Sequence, residues 1–435
     1  MKIGFYEWSK TDEDTKARIM RRGQADIDHV IDQVKPIIER VKKEGDQALI
    51  DYAQQFDGCS LESLKVSEEE FEEAKATLDP DVKAAIDHCA KNVRVFHEEQ
   101  MRRMEAEQQW MIEVESGIWA GEKITPISSV GLYVPGGKNL FPSVMYMLCI
   151  PATLAKVPTI AVTTPPQDNG KIGDALLYSA EVGGVKNVYK TGGAQAIAAL
   201  AYGTETIPTV KKVLGPGSPY VAAAKQLLSG MIDPGMPAGP SESIVLCDES
   251  ADPRNTVLDV LNEAEHGPDS VALLVTHDKT LAKYVHQYLP QEIKNLPEPQ
   301  KGWIANNMQN YSGIILTDSE QASFDFVNEY GVEHLLVKMK DNQSAISHIH
   351  NAGEVIIGEE CTISLANFGI GGNNVLPTGG NAHSYSCTSV WDFMKRVSLV
   401  KTDKVGFESL KEPVSKLCDY EGFPAHANAI RKRKI

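Results

Sequence analysis

The sequence contains 435 residues, with 43 lysines and arginines against 59 aspartates and glutamates and a formal net charge of −16. Its 42% hydrophobic and 23% charged residues are typical of a globular protein and argue against disorder or a fibrous repeat. The acidic balance argues against nucleic acid or an acidic membrane as a partner, because phosphate binding depends on clustered lysine and arginine. The length indicates about three folding units.

The first ten residues are polar and lack the apolar core of a signal peptide. No apolar stretch reaches the ~20 residues that a membrane-spanning helix requires. The seven cysteines are odd in number and widely scattered, and they show no CxxC spacing. We therefore predict a cytoplasmic protein with reduced cysteines.

Helical periodicity dominates residues 26–106. Apolar residues recur at spacings of three and four from Ile27 to Val41, and Ser67 followed by Glu70 predicts a capping box. From Trp110 the period changes to two, and a glycine turn follows, so the next segment is predicted to be a β-hairpin.

Short apolar runs that end in glycine or proline alternate with helical stretches between residues 130 and 217. This alternation predicts a doubly wound parallel sheet, with ligands beyond the carboxyl ends of its strands. The predicted strands cover residues 130–134, 159–162, 187–189 and 213–214, and the helices cover residues 144–155, 175–182 and 195–202.

A second set of strands is predicted at residues 243–246, 272–275, 313–316, 335–337 and 354–357. The sequence therefore predicts two α/β domains with helical terminal segments. The predicted boundaries are an N-terminal arm at 1–25, a first domain at 26–132 and 242–388, an inserted domain at 133–241, and a C-terminal helical segment at 389–435.

The two best-known nucleotide fingerprints are absent from this sequence, so a dinucleotide would have to be held in another way. Tyr133 at the end of a predicted strand and Gln195 at the start of a helix are placed to meet one. That helix would direct free backbone N–H groups at a phosphate. The alternative is that both side chains merely satisfy a loop.

Glu263 and His266 lie three residues apart near the end of a helix predicted to run from Val257 to Gly267-Pro268. A carboxylate and an imidazole on one helix face can share a divalent metal. An exposed helix end would carry the same residues, so the pattern alone leaves both possibilities open.

The pair Glu333-His334 lies where a turn enters a predicted strand. Adjacent acid and imidazole groups can divide general-base work, because histidine titrates near neutral pH and glutamate can activate water. A solvated pair at a strand edge is the alternative.

Two further segments favour ligand binding. Residues 367–374 combine glycines with three asparagines, which suits a backbone that crowds a ligand. Near the C-terminus, Glu421 and His426 lie five residues apart beside Gly422 and Pro424, although a surface tail would allow the same pattern.

Read in order, several motifs resemble the histidinol dehydrogenase family over residues 25–430, and their length and order make the resemblance specific. These motifs are Tyr133-Val134-Pro135-Gly136-Gly137, residues 192–201, Gly215-Pro216-Gly217, residues 236–242, residues 264–270, Glu333-His334-Leu335 and residues 374–378.

The resemblance implies a zinc-dependent, NAD-linked homodimer with two incomplete Rossmann-like domains, one inserted in the other. Such enzymes oxidise an alcohol to an aldehyde and then to a carboxylate, and they reduce two NAD. His334 would take the alcohol proton and Glu333 would activate water for the second oxidation. Tyr133, Gln195 and Ser218 would contact NAD.

The same resemblance implies a zinc site that two subunits share. The residues that would bind zinc are Glu263, His266, Asn367 and His426, with His426 and Glu421 contributed by the neighbouring subunit. The substrate would contact Ser241, His334 and Glu421 as well as the zinc-binding side chains.

This sequence departs from the family pattern at five of these positions. Glu263 replaces a glutamine and Asn367 an aspartate, so the ligand set keeps one negative charge, which favours a retained metal. The other three changes are Asn374 for histidine, Phe368 for tyrosine and Ser218 for asparagine.

Three hypotheses for the function follow from these departures. Polar changes in a pocket alter substrate selection strongly, which favours a paralogue that oxidises a different small polar alcohol. The first alternative is L-histidinol oxidation. The second is a non-catalytic binding protein, against which the retention of Glu333, His334, His266 and His426 argues.

Overall fold

The computed structural model describes residues 2–22, 28–136 and 140–435. Within these residues, short strands and helices alternate as the sequence predicts. The strands are β1 (Phe5–Glu7), β2 (Gln109–Glu115), β3 (Ile118–Pro126), β4 (Ser129–Tyr133), β5 (Thr159–Thr164), β6 (Val188–Lys190), β7 (Lys212–Leu214), β8 (Glu242–Cys247), β9 (Val271–Thr276), β10 (Gly313–Leu316), β11 (Val332–Lys338), β12 (Ala352–Ile357) and β13 (Met394–Thr402).

Helices fill most of the connections between these strands. They are α1 (Glu13–Arg21), α2 (Asp28–Glu44), α3 (Asp46–Tyr52), α4 (Glu68–Thr77), α5 (Pro80–Glu105), α6 (Pro142–Leu154), α7 (Asp174–Val182), α8 (Gly193–Tyr202), α9 (Pro219–Leu227), α10 (Pro253–Asp259), α11 (Lys279–Asn295), α12 (Gln300–Asn310), α13 (Glu320–Tyr330), α14 (Asn342–Ser347), α15 (Ile363–Phe368), α16 (Lys404–Tyr420) and α17 (Pro424–Arg431). Shorter helical turns cover Trp8–Lys10, Ala53–Asp57, Glu263–Glu265, Asn381–His383 and Val390–Phe393.

Two parallel sheets form the framework, which confirms the predicted α/β fold class. One has four strands in the order β6-β5-β4-β7, and the other has six in the order β1-β10-β9-β8-β11-β12. Helices cover both faces of each sheet, so the strands are apolar and buried, as parallel strands require. A third, antiparallel sheet has the order β13-β3-β2 and contains the predicted hairpin.

One predicted feature that depends only on neighbouring residues, the capping box, is confirmed. Ser67 and Glu70 form the predicted capping box at the start of α4, in which each side chain bonds the other residue's backbone N–H. Ile27 and Gly137, which belong to the helical pattern and to the first glycine-rich motif, lie outside the described residues.

Residues 26–132 were predicted to join the domain of residues 242–388. This prediction is wrong for helices α2 to α5, which pack on the four-stranded sheet instead. Helices α4 and α5 pack on one face of the four-stranded sheet, and α2 and α3 pack on its other face. The apolar residues of these helices join the two cores that flank that sheet. The C-terminal segment, predicted to be helical, contains α16 and α17 and also β13, which pairs with β3.

The described helices range from six-residue helices to α5, which has 26 residues. None of them combines the length and the apolar character needed to cross a bilayer.

Candidate active site

A cavity of about 940 Å³ lies between the two parallel sheets. Loops from both halves of the molecule form its walls, including many of the residues that the sequence predicts to be functional. The predicted residues that line it are Ser218, Ser241, Glu263, His266, Glu333, His334, Asn367, Phe368 and Asn374.

The two sheets present opposite edges to this cavity. Pro135 and residues 216–218 follow the carboxyl ends of β4 and β7, whereas Ser241 and Glu333-His334 lie at the amino ends of β8 and β11. Ligands were predicted beyond the carboxyl ends of the four-stranded sheet, and the cavity lies at that edge. At the six-stranded sheet, by contrast, the chain enters its strands at the cavity.

Glu263 and His266 are close together, but the α-helix predicted to carry them is not formed. Helix α10 ends at Asp259, and the backbone continues in tighter turns whose N–H groups bond the carbonyl three residues earlier. The side chain of Asn262 donates to the carbonyl of Asp259, which competes with continued α-helical bonding. In a 3-10 turn, residues three apart eclipse, and the Glu263 Oε2 to His266 Nδ1 distance is 3.4 Å.

Two asparagines extend this pair across the cavity wall. Asn367 Nδ2 donates to Glu263 Oε1 at 2.6 Å, and Asn374 Nδ2 donates to Asn367 Oδ1 at 2.5 Å. Oδ1 of Asn374 is buried without a hydrogen-bond partner in the described structure. Carboxylate, imidazole and amide oxygen are groups that bind divalent cations, so Glu263, His266 and Asn367 are the candidate metal ligands.

Glu333 and His334 occupy the amino end of β11, with 3.7 Å between Glu333 Oε1 and His334 Nε2. Burial raises the pKa of Glu333 well above its ordinary value, and the negative charge of Glu263 raises it further. Burial acts to lower the pKa of His334, but Glu333, Glu263 and Glu354 together outweigh it and raise that pKa to about 10. The pair can therefore exchange a proton with a bound ligand.

Two supporting carboxylates of this pair were not predicted from the sequence. Glu354 Oε1 lies 2.6 Å from His334 Nδ1, and the backbone N–H of Glu242 donates to Glu333 Oε2 at 2.9 Å. Each is the one charged residue of its parallel strand, which is the signal that could have identified them. The order of the strands, which brings them beside Glu333 and His334, is not readable from the sequence.

The predicted cofactor residues are divided between two locations. Ser218 lines the cavity at the start of α9, whereas Tyr133 and Gln195 are buried behind the wall and are outside the lining. The hydroxyl of Tyr133 accepts from the N–H of Gly193, the first residue of α8. A close approach explains the glycine at position 215, because a Cβ there would lie 1.9 Å from the carbonyl oxygen of Tyr133.

Glu421 and His426 are exposed at the C-terminal helices and do not line the cavity. Within the described residues, no three or more His, Cys, Asp or Glu side chains are gathered so that they could hold a metal ion. The structure of one chain therefore brings together three of the four predicted metal ligands, one of which is an amide, and leaves His426 apart.

The site combines a buried acid–base pair with a nearby carboxylate–imidazole–amide cluster. The sequence itself is similar to one protein family. The model of the family described as "Histidinol dehydrogenase" matches residues 20–434. The chain belongs to the histidinol dehydrogenase family. It is accordingly a dehydrogenase, an oxidoreductase, and the alternative of a non-catalytic binding protein is not favoured.

Individual relatives cover nearly the whole chain. A "Histidinol dehydrogenase" of Synechocystis sp. is 49% identical over 96% of both chains. A "Histidinol dehydrogenase homolog" of Cereibacter sphaeroides is 43% identical over 99% of this chain and 98% of its own. The crystal structure of histidinol dehydrogenase from Elizabethkingia anophelis is 34% identical with a TM-score of 0.90, covering 97% of this chain and 96% of its own.

Proposed function

We propose that this dehydrogenase oxidises L-histidinol through the aldehyde to the carboxylate with NAD as the oxidant and zinc as the metal. The observation that carries the proposal is the convergence of Glu333, His334, Glu263 and His266 on one cavity of about 940 Å³. The name of the Synechocystis relative supports L-histidinol over the other small polar alcohols that the site could accept.

Each oxidation removes a hydride from carbon and a proton from oxygen. His334 in its neutral form is the group that accepts the proton, because it lines the cavity and its Nε2 lies beside Glu333. Glu333 assists the addition of water to the aldehyde, which supplies the second oxygen of the carboxylate. Its raised pKa makes the carboxylate a stronger base than that of an exposed glutamate, which suits this role.

The chemistry of the candidate ligands fits zinc. Glu263 is 1% exposed, and among the described residues its one ion-pair partner is His266, whose side chain is 38% exposed. Buried carboxylates are usually paired with cations or bind metals, and His266 combines a ring near Glu263 with access to the cavity. Glu263, His266 and the amide oxygen of Asn367 would hold the ion in this chain, with His426 as the fourth ligand.

When bound, zinc would polarise the alcohol oxygen and NAD would accept the hydride. Ser218 is placed to contact NAD at the cavity, and Tyr133 and Gln195 support the same region from behind through the start of α8. Ser241, which also lines the cavity, is placed to contact the substrate.

A homodimer with shared sites would bring Glu421 and His426 to the cavity of the neighbouring subunit. Exposed apolar side chains on the C-terminal helices and on the antiparallel sheet support burial of this region against another chain. These side chains include Val400, Val405, Leu417, Tyr420 and Phe423. A cytoplasmic location fits the seven cysteines, all of which are free in the structure.

A different small polar alcohol is the second candidate substrate, favoured by the unpartnered Oδ1 of Asn374 in the cavity wall. A buried acceptor without a partner costs about 1–3 kcal/mol, so the site selects a ligand that donates a hydrogen bond there. Asn374 and Phe368 also replace the histidine and tyrosine of the family pattern at this end of the cavity.

Production of NADH by the zinc-loaded protein tests the proposal. L-histidinol should yield two NADH per molecule and histidine as the product, and His334→Asn should abolish both. Activity with other small alcohols but not with L-histidinol would establish the second candidate, whereas no NADH from any alcohol would refute the proposed reaction.

Zinc binding needs its own pair of variants. His266→Ala should lose stoichiometric zinc, whereas His350→Ala, which removes an exposed histidine remote from the cavity lining, should retain it. Equal zinc content in the two variants would refute the assignment of His266 as a ligand.

A further inference from the structure

Glu354 makes the shortest contact of the His334 ring. Its Oε1 lies 2.6 Å from Nδ1, and its side chain is 17% exposed against 4% for that of His334. The contact follows from the sheet, because β11 and β12 are parallel neighbours in which His334 is directly paired with Glu354. Residues so paired project from the same face, so the two side chains meet.

We propose that Glu354 is a positioning residue that fixes the proton of His334 on Nδ1 and directs Nε2 into the cavity. A carboxylate accepts and cannot donate when ionised, so a 2.6 Å contact requires a proton on Nδ1. When the ring releases its second proton, the neutral imidazole has its acceptor at Nε2, the atom beside Glu333. The position of the proton on His334 does not depend on the proposed function. Only the catalytic consequence of that position rests on the proposed alcohol oxidation.

The other neighbours of His334 cannot take this role. Ser243 is paired with His334 from the opposite side, on β8, but its hydroxyl is buried without any hydrogen-bond partner in the described structure. Glu333 faces Nε2 at 3.7 Å, which exceeds hydrogen-bond distance. Glu354 is therefore the side chain that determines which nitrogen of His334 carries the proton.

The remaining charge around His334 comes from several elements. Glu333 lies on its own strand, Glu263 on the 3-10 turn, and Glu242 at the start of β8. Glu354 differs from these carboxylates because it contacts the ring without lining the cavity. It can therefore orient the ring while substrate occupies the cavity, and it does not compete with substrate for Nε2.

Nitrogen-15 NMR of histidine-labelled protein tests the proton position directly in the wild type, with His334→Asn used to assign the signal. At a pH where the ring is neutral, we expect the remaining proton on Nδ1 and none on Nε2, with the downfield proton resonance of a short hydrogen bond to a carboxylate. That resonance should move upfield in Glu354→Gln and stay unchanged in Glu360→Gln, which alters an exposed carboxylate six residues away. An unprotonated Nδ1 in the wild type would overturn the proposal.

Kinetics provide the second readout. Glu354→Gln should lower kcat/KM on the order of 10- to 100-fold, a part of the ~100- to 10,000-fold that a positioned acid–base group supplies. The acidic limb of its pH profile should move to lower pH because a negative charge beside His334 is lost. Kinetics and pH profile equal to those of Glu360→Gln would also overturn the proposal.

These two measurements separate this inference from the proposed function. The NMR measurement uses no substrate, so it decides the role of Glu354 even if every alcohol proves inactive. It also requires only the wild type, so the proposal stays testable if Glu354→Gln does not fold.

Discussion

Asn367 and Glu263 are bonded directly, with Nδ2 of the amide donating to Oε1 of the carboxylate at 2.6 Å. The neutral and the charged member of the candidate metal site therefore contact each other. Compared with the family pattern described above, the acid and the amide have exchanged positions, and the negative charge lies on Glu263, the more buried residue of the two.

Exchange of the two groups provides a test of charge in metal binding. Glu263→Gln removes the carboxylate and should weaken zinc binding by about 10- to 100-fold, since the remaining ligands are neutral. The double variant Glu263→Gln/Asn367→Asp keeps one negative charge and should recover most of the affinity. Competition with a coloured chelator measures both constants, and a double variant as weak as the single one would refute the charge argument.

Mixing inactive variants tests whether the two subunits share each active site. His334→Asn and His426→Ala should each be inactive alone. After unfolding and refolding together, mixed dimers should each contain one intact site and restore about one quarter of the wild-type activity.

The matched control for that experiment is a mixture of His334→Asn with Glu333→Gln. Each subunit contributes both His334 and Glu333 to its own cavity. In every dimer of this mixture, each cavity therefore lacks one of these two side chains. Recovery of activity in this control, or its absence from the first mixture, would contradict shared sites.

Stability should depend on pH through Glu242. Burial raises the pKa of this carboxyl to about 7 from an ordinary value of 4.5, although Arg22 opposes the shift. The folded protein thus binds the proton more tightly than the unfolded chain. This tighter proton binding stabilises the folded protein fully below pH 4.5, and the stabilisation is lost as pH rises through about 7. The free energy of unfolding should fall by an amount on the order of 3 kcal/mol over this range.

Glu242→Gln imitates the protonated carboxyl at every pH. Urea unfolding should give similar stabilities for the variant and the wild type at pH 5, and a more stable variant at pH 8. A stability difference that does not change with pH would show that Glu242 does not titrate in this range.

The hydroxyl of Tyr133 should stabilise the start of α8. Tyr133→Phe leaves the N–H of Gly193 without its acceptor and should lower the free energy of unfolding by about 1–3 kcal/mol. Tyr189→Phe is the matched control, because this tyrosine is equally buried and its hydroxyl makes no hydrogen bond in the described structure. Denaturant titrations of both variants measure the difference, and equal losses would contradict the assigned role.

Short apolar runs bounded by glycine and proline were sufficient to predict the buried parallel strands from the sequence. The signals fail where a strand depends on a distant partner. β1 has three residues in a polar terminus and forms only because β10 pairs with it. β13 is mostly exposed on both faces, so it lacks the alternation of apolar and polar residues that identified the hairpin.

The residues of the candidate site also fall into those that neighbouring residues identify and those that a distant partner positions. Glu263, His266, Glu333 and His334 were predicted because the members of each pair are close in sequence: a 3-10 turn brings Glu263 to His266, and Glu333 and His334 are consecutive residues of β11. The contact of Glu354 with His334 depends instead on the order of strands, and that order is set by packing of the whole sheet.

The burial of Arg22 has a practical consequence for work with this protein. Its guanidinium lies 4.0 Å from the centre of the Tyr330 ring, and it pairs with Glu242, whose backbone holds Glu333. Through Arg22, the N-terminal arm thus contacts the residue that supports Glu333 in the candidate active site. A purification tag or a truncation that pulls this arm away would weaken activity without altering any residue of the cavity wall, so tags belong at positions that leave the arm docked.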